Sequence, residues 1–329
     1  MPRQRWQFAV MTAMLLLPVS CERLLDSPAT SQSEVSTSRV GVGGSWQAEP
    51  VMDVARSENP AAVLGNSIYT MGGLVSSPQG MGATNTVERY QPGSGGWETV
   101  MSLPAARHHS MSVVHDGRLY HLGGMDNSGF NPVATSWVFD PENGWTEIAE
   151  LPEPVGAGAA AVIDGIIYVA GGVDGGASLF AYDPSSDSWT TLAEMAQHRE
   201  HTAAVALDGK LWVLGGRWGP EMLSTVEIYD PVAGTWSSGP AMPEARSGFG
   251  GTVIGGTIVV AGGEVFSPTK ALSTTEILSE GGSWMPGAAL PYPLHGMPLV
   301  TIEEVIYVIG GSATAADVDN RGEVWSLRP

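Results

Sequence analysis

Cysteine is nearly absent: Cys21 is the only one in 329 residues, so no intramolecular disulfide can form. Positive charge is scarce as well. Fifteen Lys and Arg stand against 34 Asp and Glu, a formal net charge of −19 with an isoelectric point near 4.6. A phosphate-backbone partner requires a concentrated basic face, so nucleic acid is excluded as a ligand. Charged residues make up only 15% of the chain, against roughly 25% in ordinary domains, which leaves little to solvate long surface helices. What is abundant points the other way. The 43 glycines are about twice the usual share and demand frequent turns, and plentiful Trp, Val and Thr favour strands. An all-β protein is expected.

The N-terminus follows a different pattern. Arg3 and Arg5 precede an apolar run over residues 8–19, followed by Ser20 and Cys21. This is the layout of a secretory signal and is too short to span a membrane as a mature helix. The stretch LLLPVSC (15–21) resembles the bacterial lipoprotein signal, which implies acylation of Cys21 and cleavage before it. On that resemblance residues 1–21 are a signal peptide, and the mature chain keeps 13 basic against 34 acidic residues, a net charge of −21. Several acyl chains on one residue would anchor it stably. Glu22 stands where an Asp often retains lipoproteins in the inner membrane, which favours the outer membrane or periplasmic face. Residues 22–44 are polar and lack hydrophobic periodicity, as expected of a flexible tether; its random-coil reach is about 25–30 Å.

From residue 45 onward one period organises the chain. Glycine pairs beginning at Gly72, Gly123, Gly171, Gly215, Gly262 and Gly310 recur about every 48 residues and close apolar runs such as RLYHLGG and KLWVLGG. Most of these runs follow a two-residue turn suited to a type I′ hairpin, such as Asp116-Gly117 or Asp208-Gly209. Glu303-Glu304 breaks that rule, so a different turn is expected in the sixth copy. A variable loop, a third strand ending in an aromatic residue (Tyr90, Phe139, Tyr182, Tyr229 and, in the last copy, Trp325), a turn and a Trp complete each unit. Four antiparallel strands per unit follow.

The register decides how the ends meet. Trp46, Trp97, Trp145, Trp189, Trp236 and Trp284 each lie 26 residues before the next glycine pair. Trp46 is thus in frame although no unit precedes it, and the last unit lacks a fourth strand. An open ring would leave an edge prone to foreign pairing. An N-terminal strand zipped onto the C-terminal three removes that edge. The expected fold over residues 45–329 is a six-bladed β-propeller with four antiparallel strands per blade, its last blade closed by the N-terminal strand. The glycine pairs, the Tyr-Asp-Pro segments (182–184 and 229–231) and the trailing Trp resemble kelch repeats, whereas the Gly-His and Trp-Asp marks of WD40 repeats are missing.

Ten residues after each Trp stands a column reading Arg56, Arg107, Val155, Arg199, Arg246 and Leu294. It opens the innermost strand and shares a face with the loops between strands two and three, because strand direction alternates. His108, His109, Glu200, His201 and His295 stand beside it. Kelch propellers often grip acidic groups with arginines at this rim, so the resemblance implies ligand-binding roles for Arg56, Arg107, Arg199 and Arg246; His108, Glu200, His201 and His295 are candidates by their position at the rim, the default binding site. Alternatively, the arginines bond backbone carbonyls and hold the blades together. Both readings stand at this stage.

The expected function is a cell-envelope binding module that takes a protein or acidic glycan at its rim. It would be secreted across the inner membrane, lipid-anchored through Cys21, monomeric and without cofactor. An extracytoplasmic sugar isomerase resembling N-acetylneuraminate mutarotase is the alternative, with Glu200, His201, His108 and Glu244 as nearest acid or base candidates. A copper radical oxidase of the galactose oxidase type needs a cysteine that the mature chain lacks beyond Cys21. No metal site is expected, since neither His198/His201 nor His108/His109 has the spacing of a strong ligand cluster.

Overall fold

The computed structural model describes residues 44–77, 80–127, 130–279, 281–316 and 319–328. The signal segment, Cys21 and the tether up to residue 43 lie outside the described residues. No helix occurs among the described residues, and six four-stranded antiparallel sheets form a β-propeller. Blade 4 is representative: Ala203–Leu207 innermost, then Lys210–Leu214, Val226–Asp230 and Thr235–Ser238.

Blade 6 combines Leu299–Ile302, Val305–Ile309 and Val324–Leu327 with the N-terminal strand Gln47–Glu49. The register is Gln47↔Ser326, Ala48↔Trp325 and Glu49↔Val324. The ring therefore closes by strand exchange between the two ends. The aromatic column is shifted in this blade. Tyr90, Tyr182 and Tyr229 pair with Ile68, Ile167 and Leu211, and the residue paired equivalently with Ile306 is Leu327, not Trp325. Trp325 sits two residues earlier, opposite Val308.

The hairpins between inner strands show why the turn pairs differ. In blades 2 to 5 both turn residues take positive φ, as at Asp116 (47°) and Gly117 (67°), the type I′ requirement. In blade 6 only Glu303 does so (52°), and in blade 1 only Gly65 (60°). The sixth turn thus differs as expected, and the Gly65-Asn66 turn differs with it.

Apolar side chains meet between blades rather than within one. One cluster joins Met111, Val113 and Leu122 of blade 2 to Ile167, Val169 and Tyr182 of blade 3; another joins Trp46 and Leu327 of blade 6 to Ile254 and Val259 of blade 5. The six tryptophans add a polar stitch on the outside. Each indole N–H donates to the carbonyl four residues beyond the preceding blade's Trp: Trp97 to Pro50, Trp145 to Met101, Trp189 to Ala149, Trp236 to Ala193, Trp284 to Pro240 and Trp46 to Ala288, all at 2.7–3.0 Å. Trp236→Phe keeps an aromatic ring, though a smaller one, and loses one such bond; about 1 kcal/mol of stability should go with that bond, read as a lower midpoint in urea with an unchanged slope.

Candidate functional site

The chain turns sharply where each innermost strand begins. The residues two beyond the arginine column, Glu58, His109, Ala157, His201, Gly248 and Gly296, all have φ between 48° and 61°. Four of them carry a Cβ, which makes this conformation costly at each. The fold holds them there with a closed circle of backbone bonds. Each N–H donates to the carbonyl of the equivalent residue one blade back, from Glu58 to Gly296 and on through His109, Ala157, His201, Gly248 and Gly296, at 2.6–2.9 Å. This circle forms the neck of the central channel. Next to it lies a cavity of about 150 Å³ lined by Glu58, His109, Ser110, His201, Thr202 and Phe249 among others.

The residue before each neck position bridges to the one following that blade's glycine pair: Ser57 to Leu74, His108 to Met125, Gly156 to Val173, Glu200 to Arg217, Ser247 to Glu264 and His295 to Ser312. Strand starts and long loops therefore share one face. A charged network results. Glu200 accepts from His201 Nδ1 (3.0 Å) and from Arg217 Nε (3.0 Å). Arg217 donates through Nη1 to Glu264 Oε1 (2.7 Å) and through Nη2 to His201 Nε2 (3.3 Å). Glu264 Oε2 also accepts from the Ala316 amide (2.9 Å) and lies 3.7 Å from His295 Nε2. Burial works against ionisation of Glu200, yet His201 and Arg217 together bring its carboxyl down to about 2. Burial, reinforced by His201, His108 and Arg217, holds His109 well below the usual imidazole range. His109 also contacts His108 ring to ring, and His108 Nε2 lies 3.3 Å from the Asp126 carbonyl.

The arginine column lies elsewhere. Arg56, Arg199 and Arg246, expected as rim contacts for a ligand, are completely buried inside their blades. Where strands two and three part at the glycine pair, the threonine carbonyl accepts from the first glycine's N–H, and Nη1 bridges that carbonyl and the glycine's own: Gly72 and Thr86, Gly215 and Thr225, Gly262 and Thr274, at 2.7–3.1 Å. The other nitrogen of each faces a third-strand carboxylate, Glu88, Glu227 or Glu276. Burial lowers the pKa of all three guanidiniums, and those carboxylates oppose it. Arg107 has no carboxylate there and lies over the Trp137 ring at 5.0 Å. The aliphatic members of the column, Val155 and Leu294, share their blades with Phe180 and Trp325 at the matching third-strand position. Within one chain the column holds an ion pair in three blades, Arg107 over an aromatic ring in one and an apolar pair in two, which marks it as scaffold.

Of the residues expected at the rim, His108, His109, Glu200, His201 and His295 do gather at the neck. Sequence reading missed Glu58 as a neck residue, and did not single out Arg217 and Glu264 within the rim loops that they begin. The signal was available: the column two after the arginines carries Glu58, His109 and His201 among small residues, and the column two after the first glycine carries Arg217 and Glu264. Glu58, His109 and His201 each offer a ligand atom, all within 4.8 Å of one another. Three different blades supply them, so spacing along the chain could not show the group.

Comparison with known proteins agrees with this geometry. Residues 59–263 match the family described as the KLHDC2/KLHL20/DRC7 Kelch-repeats domain. Kelch-like protein terF of Aspergillus terreus is 30% identical over 92% of this chain and 70% of its own length. Beta-scruin of Limulus polyphemus is 29% identical over 85% of this chain, a match that spans 28% of that protein. The solved structure of YjhT superposes with a TM-score of 0.71 over 85% of this chain and 99% of that one, at 16% identity, a likeness of fold alone. The chain belongs to the kelch-repeat β-propeller family.

Proposed function

We propose that the protein is an interaction module of the cell envelope that binds a protein partner on the loop-bearing face, held at the membrane by acylated Cys21 and the tether after it. Kelch propellers as a class mediate contacts between proteins. The observation that carries the reading is the surface around the neck. Met81, Phe130 and Trp218 are 48, 48 and 43% exposed, and each belongs to a loop between strands two and three on that face. Phe130 packs edge-on against His108 (4.6 Å) and Trp218 lies against His198 (4.8 Å). Aromatic and Met side chains around a polar centre are the residue types enriched at protein interfaces. The blade 1 and blade 4 loops are themselves stiffened as two-stranded hairpins, Leu74–Ser77 with Gly80–Ala83 and Arg217–Trp218 with Glu221–Met222, so little ordering is needed on binding.

The triple variant Met81→Ser, Phe130→Ser, Trp218→Ser removes the apolar anchors without touching the core. A protein retained by wild type from the envelope fraction should be lost by this variant, with thermal unfolding unchanged. Thermal stabilisation by an acidic sugar, together with catalysed anomer exchange in an NMR assay, would instead support the sugar isomerase reading. Cys21→Ser should move the protein from the membrane to the soluble fraction; continued membrane association would remove the lipid anchor from the proposal.

A further inference from the structure

We propose that Glu58, His109 and His201 form a binding site for one divalent transition-metal ion, of the zinc type, in the neck of the channel. The first argument is the state of Glu58. Its carboxylate is only 12% exposed, and its nearest charge partners are two imidazole nitrogens, His109 Nε2 at 3.4 Å and His295 Nε2 at 4.0 Å. A carboxylate so placed requires a positive partner. The acids nearby do not leave one over. Arg217 already serves both Glu200 and Glu264, so three carboxylates stand against one guanidinium.

The second argument is geometric. A tetrahedral ion about 2.0–2.1 Å from each donor sets those donors about 3.3–3.4 Å apart. Glu58 Oε2 and His109 Nε2 already stand at 3.4 Å, and the donor atom of His201 lies within 4.8 Å of both. The orientation of His201 is fixed as well. Arg217 can only donate, so Nε2 carries the lone pair while Nδ1–H donates to Glu200, the arrangement in which a carboxylate orients and strengthens a metal-binding imidazole. An ion taking Nε2 replaces one Arg217 contact and leaves that guanidinium its two carboxylates. Two nitrogens and one oxygen suit Zn²⁺ or Co²⁺ rather than Mg²⁺ or Ca²⁺, which prefer all-oxygen shells. Three protein ligands leave a further position open toward the cavity.

The neck also shows why the site needs glycine opposite Glu58. A Cβ on Gly296 would stand 2.4 Å from Glu58 Oε1, while the same backbone conformation accepts alanine at Ala157. Gly296→Ala therefore displaces the carboxylate and leaves all three ligands in the sequence.

Titration of the chelator-treated mature protein with Zn²⁺ by calorimetry should give one tight site per chain. Co²⁺ should give the visible absorption of four-coordinate geometry, and excess Mg²⁺ should not compete. Glu58→Gln and His201→Gln should abolish that site, with circular dichroism confirming the fold. Gly296→Ala should weaken it at least tenfold, and Glu200→Gln, a positioning change, by about 10–100-fold. His198→Gln, on the exposed surface, should bind as wild type. Absence of Zn²⁺ binding, displacement by Mg²⁺, or full binding by Glu58→Gln and Gly296→Ala would overturn the proposal. None of these outcomes depends on whether a protein partner binds the loop face.

Discussion

Deleting residues 45–51 is expected to cost the protein its stable ring. The segment supplies the whole outer strand of blade 6, with its three registered pairs to Val324–Leu327. It also carries Trp46, 8% exposed, whose indole reaches the Ala288 carbonyl at 2.9 Å. Glu49 accepts from Tyr90 (2.7 Å) and Ser326 (2.6 Å), and the Pro50 carbonyl accepts from Trp97; both contacts to Tyr90 and Trp97 lead into blade 1. Loss of one buried tryptophan alone costs about 3–5 kcal/mol, against a typical domain stability of about 5–15 kcal/mol. The bared edge of Val324–Leu327 is then open to pairing between chains. The deletion should therefore unfold at far lower temperature and run as oligomers in gel filtration, and adding the excised peptide in trans should reverse part of both effects. Unchanged thermal unfolding would show that the N-terminal strand does not close the ring.

The second large effect concerns a latch inside a blade. Arg199 is wholly buried, with Nη1 on the Gly215 and Thr225 carbonyls (2.8 and 3.1 Å) and Nη2 on Glu227 (2.7 Å). Arg199→Met leaves the Glu227 carboxyl group, 9% exposed, without its cation. Removing one partner of a buried pair costs about 3–5 kcal/mol. The sequence itself suggests a rescue. Blade 3 fills the same two positions with Val155 and Phe180, so Arg199→Val combined with Glu227→Phe should recover much of the loss. Recovery will be partial, because Glu227 also accepts from the Ala196 and Gln197 amides (2.7 and 3.2 Å), which the aromatic ring leaves unpaired. Equilibrium denaturation of the two variants decides the matter: a single variant as stable as wild type would remove the latch from the account of stability.

The fold was legible because its signals are periodic and local. Glycine pairs, turn pairs and tryptophans recur in phase, and the 26-residue interval placed Trp46 in frame with tryptophans of complete units. The arginines were harder to read. Their column was correct, but a column does not say toward which side its members point. Arg56 turns away from the neck because the carbonyls of Gly72 and Thr86 lie behind it. The matching third-strand glutamates, always two residues before the column of Tyr90 and Tyr229, could have exposed this, since Glu88, Glu227 and Glu276 occur only in blades that carry the arginine. The neck was least legible of all. Glu58, His109 and His201 are 51 and 92 residues apart along the chain, and only closure of the ring makes them neighbours.

The circle of amides at the neck has a consequence for how this molecule comes apart. A solenoid built of the same units would fray from its terminal repeats, but a loop of six mutual donors and acceptors has no first or last member. Releasing any one sector severs its links to both neighbours at once, so partial opening forfeits nearly as much as complete opening. Deuterium should therefore enter the amides of Glu58, His109, Ala157, His201, Gly248 and Gly296 together and last, at a rate set by the unfolding of the entire body.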